Sequence, residues 1–160
     1  MHGLCAQLGC QPGEKLLIYG IGNVGRQDDG LAIRLIQRLE EAALPFAVTL
    51  EAAYQLNIED ALLISEFDVV LFIDATAEEQ AQAPYSLRPL EPAAEVAFST
   101  HRTSAAGVLA VCAQLYGRRP RAFLLAVPGY EWGISEELSA LAGRNLEQTW
   151  QALLGETGHA

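Results

Sequence analysis

The sequence carries little positive charge. Its 160 residues include 10 Lys and Arg against 20 Asp and Glu, which gives a net charge of −10 and an isoelectric point near 4.6. Nucleic acids and anionic membranes bind proteins through basic surfaces, so this composition disfavours both as partners. It suits a protein that binds a cation or a basic protein partner instead.

Long hydrophobic runs are absent as well. The apolar stretches, such as Val69 to Ile73, end at a charge, a Gly or a Pro, so none is long enough to cross a membrane. The first 15 residues have neither a basic start nor an apolar centre, and they do not resemble a signal peptide. Because the chain also has only three Cys, we expect it in a reducing compartment, the cytoplasm.

The composition is that of one folded domain. Apolar residues make up 51% of the chain and charged residues 19%, which is enough apolar material for a core. We predict a flexible leader over residues 1–14, a single domain over 15–155 and a tail over 156–160. A metal clip formed by Cys5, Cys10 and His2 is an alternative for the leader, but a zinc site needs a further pair of ligands.

Short apolar runs alternate with segments of helical periodicity, which predicts an α/β fold with a mostly parallel sheet covered by helices on both faces. The predicted strands span residues 15–20, 46–51, 68–74, 85–90 and 121–127. The connection between the third and fourth strands contains no helical pattern, so we expect the strand over 85–90 to run antiparallel. Ser135 is predicted to cap the last helix, with Glu136 and Glu137 in its first turn.

Chemically capable side chains follow three of these strands. Asp28 and Asp29 lie in the loop after the first strand, Asp74 ends the third, and His101 precedes a helix. The carboxyl ends of parallel strands meet at one edge of a sheet, where ligands bind. Carboxylates and an imidazole that converge there suit a borderline divalent ion such as Zn or Ni. Acids just before a helix are also ordinary caps, and this alternative stays open for the Asp pair.

The same loop matches the dinucleotide fingerprint through Gly20, Gly22 and Gly25. In that fingerprint the helix begins at once and its N-terminus faces a pyrophosphate. Here two carboxylates, Asp28 and Asp29, stand before the helix and would repel a pyrophosphate. A nucleotide-binding domain is therefore the weaker alternative.

Four segments, in this order, resemble the motifs of the [NiFe]-hydrogenase maturation endopeptidases, and the resemblance covers about residues 15–154. They are GIGNVGRQDDGLAIRLIQRLE, VVLFIDA, STHRTSAAGVLAVCAQLYG and VPGYEWGISEELS. The resemblance implies a three-layer αβα sandwich with a five-stranded, mostly parallel sheet and one antiparallel strand. One departure is the run after the second strand, where many members have Asp-Gly-Gly and this chain has Glu51, Ala52 and Ala53.

By this resemblance Asp29, rather than Asp28, contacts the metal and takes part in catalysis, and Asp74 and His101 match the other two positions. Two interpretations are open for Gly20, Gly22 and Asn23. They either form a turn that positions Asp29 and contacts the substrate, or they are ordinary turn residues without a role in function. Asp28 is left with a capping role, so Asp28→Asn is expected to cost only about 0.5–1 kcal/mol of stability.

The implied activity is that of a hydrolase, an aspartyl-type endopeptidase that removes a C-terminal extension from a hydrogenase large-subunit precursor. The nickel comes with the substrate, so no tightly bound cofactor is expected, although Zn or Cd could take its place in a crystal. The implied partner is the precursor, and the protein is expected to be a monomer. A nickel-sensing chaperone on the same fold, without cleavage, is the alternative from another functional class.

Overall fold

Five strands form one sheet, and helices cover both of its faces. The computed structural model describes residues 3–44, 47–78, 81–94 and 102–153. The helices are α1 (Gly3–Leu8), α2 (Leu31–Glu41), α3 (Asp60–Ile64), α4 (Ala105–Tyr116) and α5 (Ala140–Leu153). The strands are β1 (Leu16–Ile21), β2 (Thr49–Ala53), β3 (Leu56–Asn57), β4 (Val69–Thr76), β5 (Ser86–Leu90), β6 (Arg102–Thr103) and β7 (Arg121–Pro128).

The strand order in the main sheet is β2-β1-β4-β7-β5. The first four strands are parallel, and β5 pairs antiparallel with β7 at one edge. A strand that runs parallel to its predecessor needs a long crossover, which the short connection from β4 to β5 does not provide; β5 therefore runs antiparallel to β4 and to β7, which lies between them. The predicted α/β fold, with a five-stranded sheet and one antiparallel strand over 85–90, is confirmed.

The central strands are buried on both faces, which divides the core into two layers. Leu17 and Phe72 point into one layer with side chains of α3 and α4, while Ile18 and Leu71 point into the other with side chains of α1, α2 and α5. All four of these side chains are at most 1% exposed. Alternate residues of a strand point to opposite faces, so continuously apolar strands require helices on both sides.

A second, two-stranded sheet lies beside the main one. β3 and β6 pair antiparallel, with Leu56 opposite Thr103. This pairing joins the segment that follows β2 to the segment that leads into α4. Two loops that are far apart in the sequence are thereby brought to the same edge of the fold.

The amino-terminal segment differs from the flexible leader expected over residues 1–14. Residues 3–8 form α1, and both Leu4 and Leu8 are 1% exposed within the core layer that contains α2 and α5. The two leucines are four residues apart, so they share one face of the helix. A segment this short gave too little periodicity to be recognised from sequence.

The last helix begins five residues later than Ser135, the cap predicted from sequence. α5 starts at Ala140, and the Ser139 hydroxyl accepts a hydrogen bond from the Ala142 amide at 3.2 Å. Ser135 accepts from the Glu137 amide at 3.1 Å and stabilises a turn instead. None of the helices in the described ranges is long and apolar enough to span a membrane.

We expect Leu8→Ala to lower the free energy of unfolding by about 2–4 kcal/mol, because it removes a fully buried side chain and leaves a cavity. Urea unfolding measures the change, and Gln7→Ala on the exposed face of α1 is the matched control. A Leu8→Ala variant as stable as the Gln7→Ala variant would mean that α1 does not contribute to the core.

Candidate functional site

The loop between β1 and α2 turns sharply at Gly22. Its φ of 152° is a conformation that favours glycine, and a Cβ at this position would collide with the backbone oxygen of Asp29. Gly20 has a different role, because a Cβ there would lie 2.6 Å from Ile36 in α2. Gly20 therefore allows close packing of β1 on α2, whereas Gly22 allows the loop to fold back on itself.

Asn23 connects the two ends of this loop. Its backbone amide donates a hydrogen bond of 2.9 Å to the Asp29 Oδ2, and its side-chain oxygen accepts one of 2.9 Å from the Gly25 backbone amide. Gln27–Gly30 form a 3₁₀ turn that leads into α2. The backbone amide of Asn23 therefore fixes the orientation of the Asp29 carboxylate.

Asp74 lies opposite the end of β1. In the parallel register it is paired with Ile21, and it precedes the last two residues of β4. Asp29 and Asp74 line the same cleft, which has a volume of about 420 Å³. The two carboxylates that the sequence predicts at this edge of the sheet are therefore brought together.

Burial and the negative charge of Asp29 raise the pKa of Asp74 to about 6, although a hydrogen bond from the Ala75 amide partly offsets them. Burial and the neighbouring charge both disfavour the ionised form of Asp74. A cation between the two carboxylates would remove their mutual repulsion. A pair of carboxylates whose charges disfavour each other in a cleft is typical of a functional site rather than of a structural one.

His101, the third predicted ligand, lies outside the described residues. Thr103 and Ser104, which follow it in the chain, line the cleft that contains Asp29 and Asp74. No group of three His, Cys, Asp or Glu side chains suited to a metal ion occurs within residues 3–44, 47–78, 81–94 and 102–153.

Asp28 has a larger role than the cap expected from sequence. It is 0% exposed, and its carboxylate accepts hydrogen bonds of 2.7 to 2.9 Å from the amides of Tyr130, Glu131 and Ser139 and from the Ser139 hydroxyl. Burial alone would raise the pKa of Asp28, but these hydrogen bonds outweigh it and lower the pKa below the usual value for aspartate. Asp28 is a buried structural carboxylate that joins the loop to the segment before α5.

The loop offers few free amides to a phosphate. The amides of residues 22, 23, 25, 26, 27, 28 and 29 all donate hydrogen bonds within the protein. A dinucleotide loop leaves such amides free to face the pyrophosphate. The hydrogen bonding therefore argues against the nucleotide-binding alternative.

The cleft continues past Asp29 into a second cleft of about 350 Å³, and Asp29 and Tyr54 line both. Tyr54 is 75% exposed, and Trp132 lines the second cleft, where its carbonyl accepts a hydrogen bond of 3.1 Å from Arg26. Arg88 lines the first cleft. These positions were missed because the sequence does not show which face of an edge strand or loop turns towards the site.

No family model matches this chain, and the search of curated proteins gives no match. Among solved structures, the fold is similar to a [NiFe] hydrogenase maturation protease, HycI, from Thermococcus kodakarensis KOD1, with 23% identity, a TM-score of 0.67 and coverage of 90% of this chain and 93% of that one. It is also similar to the hydrogenase maturating endopeptidase HybD from E. coli, with 22% identity, a TM-score of 0.63 and coverage of 90% and 94%. The resemblance expected from the sequence is confirmed at the level of the fold.

The adjacent carboxylates should respond differently to the same substitution. Asp28→Asn is expected to lower the free energy of unfolding by about 2–4 kcal/mol, because an amide cannot accept all four hydrogen bonds without turning donors towards donors. Asp29→Asn should cost less than about 1 kcal/mol, since its oxygen can still accept from Asn23. Urea unfolding of both variants measures this, and equal losses would contradict the assignment.

Asp74→Asn is expected to raise the stability of the protein at pH 7.5 by about 1–2 kcal/mol, after allowance for solvent screening in the cleft. The native pKa of about 6 lies above the usual 3.8, so the native state binds more protons than the unfolded state, and wild-type stability falls as the pH rises from 4 to 6. The gain should therefore shrink as the pH falls from 6 to 4.

Thermal unfolding across this pH range measures the gain, and Glu40→Gln, an exposed acid on α2, is the control. Loss of stability in Asp74→Asn at pH 7.5 would show that Asp74 is a structural residue.

Proposed function

We propose that this protein is an endopeptidase that removes the C-terminal extension of a [NiFe]-hydrogenase large-subunit precursor after nickel insertion. The observation that carries the proposal is the pairing of Asp29 and Asp74 in one cleft, at the strand ends where the sequence resemblance expects metal-contacting residues. The solved structures with this fold include proteins named as hydrogenase maturation proteases. The fold, the motifs and the carboxylate pair thus support one activity.

In this proposal the ion belongs to the substrate. Asp29 and Asp74 supply two hard oxygen ligands, and His101 supplies the third from the segment before Thr103. The remaining ligands come from the precursor that already holds the nickel, which explains how a partial ligand set can suffice. The substrate's nickel then acts as a Lewis acid that polarises the scissile carbonyl or activates a water molecule.

The repulsion between Asp74 and Asp29 provides a means of recognising the nickel ion in the substrate. In the free protein its proximity to Asp29 disfavours two negative charges in the cleft. A divalent ion that enters with the substrate neutralises this repulsion. The carboxylate pair therefore favours a precursor that carries nickel over one that does not. A precursor without nickel gains nothing from the pair, and cleavage of it should be slow.

The groove on either side of Asp29 is suited to an extended peptide. Leu56 and Leu90 line one cleft, Trp132 lines the other, and the exposed Tyr54 lines both, so apolar and aromatic contacts flank the carboxylates. We propose that the substrate segment around the cleavage site lies along this groove, with the protein acting as a monomer in the cytoplasm.

Cleavage of purified precursor, followed as a mass loss at its C-terminus, tests the proposal. We expect cleavage of nickel-loaded precursor, none of nickel-free precursor, and none of casein. Asp29→Asn, Asp74→Asn and His101→Ala should each slow cleavage at least about 100-fold, because the first two remove the negative charge of a proposed ligand and the third removes the imidazole. Glu40→Gln is the matched charge control.

A stable complex with the loaded precursor, without any mass loss, would identify a nickel-sensing chaperone instead. A variant of Asp29, Asp74 or His101 with unchanged cleavage would overturn the site assignment.

Purified protein is expected to contain much less than one metal ion per chain. A resident catalytic zinc has three ligands held in place by further hydrogen bonds, whereas Asp29, Asp74 and His101 come from three separate segments, and we expect them to bind a free ion only loosely. Elemental analysis after dialysis measures this, with and without a chelator. A stoichiometric, chelator-resistant zinc together with activity on nickel-free precursor would indicate an ordinary metalloprotease.

A further inference from the structure

Two cysteines meet at the end of α1, at the sheet edge opposite the candidate site. Cys5 lies in α1 and Cys10 follows the helix. Both line a cleft of about 660 Å³ with residues that begin β1 and β2, such as Leu16 and Thr49. The strand ends that hold Asp29 and Asp74 are at the other edge, so this feature is independent of the proposed cleavage site.

The helix end itself brings the two side chains together. The Gly9 amide donates to the Ala6 carbonyl at 3.3 Å, the Cys10 amide donates to the Cys5 carbonyl at 3.0 Å, and Gly9 has a φ of 67°. This is the Schellman arrangement, in which the residue after the terminal glycine contacts the residue five positions earlier. Those two positions, usually apolar, are both cysteine here.

The surroundings distinguish the two thiols. Arg121 donates to the Gly9 carbonyl at 2.9 Å and to both carboxylate oxygens of Glu14 at 2.8 Å, and it lies close enough to Cys10 to interact with it electrostatically. Arg121 therefore places a positive charge beside Cys10. Burial and the proximity of Cys10 raise the pKa of Cys5 to about 11, so Cys5 remains a thiol.

These surroundings suit redox chemistry better than a metal. Within the described ranges no third His, Cys, Asp or Glu joins Cys5 and Cys10 as a metal ligand. A cation beside Cys10 would also be repelled by the guanidinium of Arg121. The cleft leaves both thiols, which are half-buried, accessible to a small reagent.

We propose that Cys5 and Cys10 are a redox-active dithiol that low-molecular-weight disulfides convert to an intramolecular disulfide. The Cys10 thiolate attacks one sulfur of the reagent, which forms a mixed disulfide and releases one thiolate. Cys5 then loses its proton and attacks the Cys10 sulfur, and the second thiolate leaves. Two protein thiols are oxidised, one disulfide is reduced to two thiols, and the two protons pass to the released thiolates.

Oxidised glutathione and intact-mass measurement on the whole protein test this proposal. The wild type should lose two hydrogens without retaining glutathione, while Cys112, which is 0% exposed, stays a thiol. Cys5→Ser should retain one glutathione on Cys10. Cys10→Ser should react at Cys5 at least about tenfold more slowly than Cys5→Ser reacts at Cys10, because burial keeps the Cys5 sulfur protonated.

In the Cys5→Ser background, Arg121→Gln should slow adduct formation about three- to tenfold, and Arg121→Lys should restore part of the rate. Circular dichroism confirms that each variant is folded. Three results would each overturn the proposal: a stable glutathione adduct on the wild type, equal rates for the two single Cys variants, or reaction only in urea. None of these results depends on whether the protein cleaves a precursor.

Discussion

The buried carboxylate of Asp28 ties the loop after β1 to the segment that precedes α5. These regions are more than 100 positions apart in the chain, and one side chain joins them through hydrogen bonds to Tyr130, Glu131 and Ser139. Loss of this acceptor would leave several donors without their partner, including the buried amide and hydroxyl of Ser139. The position of the neighbouring residue, Asp29, depends on this connection.

The adjacent aspartates Asp28 and Asp29 differ in role because their surroundings differ. Hydrogen bonds lower the pKa of Asp28 and keep its charge in the interior. Asp29 receives one amide, from Asn23, and shares a cleft with Asp74, where no structural need for a second carboxylate is apparent. Asp28 contributes to stability, whereas in our proposal the pair of Asp29 and Asp74 interacts with a ligand, as expected where function competes with stability.

Much of the fold could be predicted from sequence, because buried parallel strands are continuous apolar runs and a short connection such as that from β4 to β5 favours a strand that runs in the opposite direction. The meeting of Asp29 and Asp74 followed from the same topology. The partners of Asp28 could not be predicted, since Ser139 and Tyr130 are brought to it only by tertiary packing. The helix at residues 3–8 was missed for a related reason: Leu4 and Leu8 form a pattern too short to interpret without the core they contact.

We propose above all that the carboxylates of Asp29 and Asp74 repel each other in the free protein and that a cation bound between them relieves this repulsion. Carbon-13 NMR titration of the aspartate carboxyl groups in the free protein tests it most directly, with wild type compared against Asp29→Asn. We expect a pKa of about 6 for Asp74 in the wild type and a lower pKa once the charge of Asp29 is removed. An Asp74 pKa near the usual 3.8 in both proteins would contradict the claim.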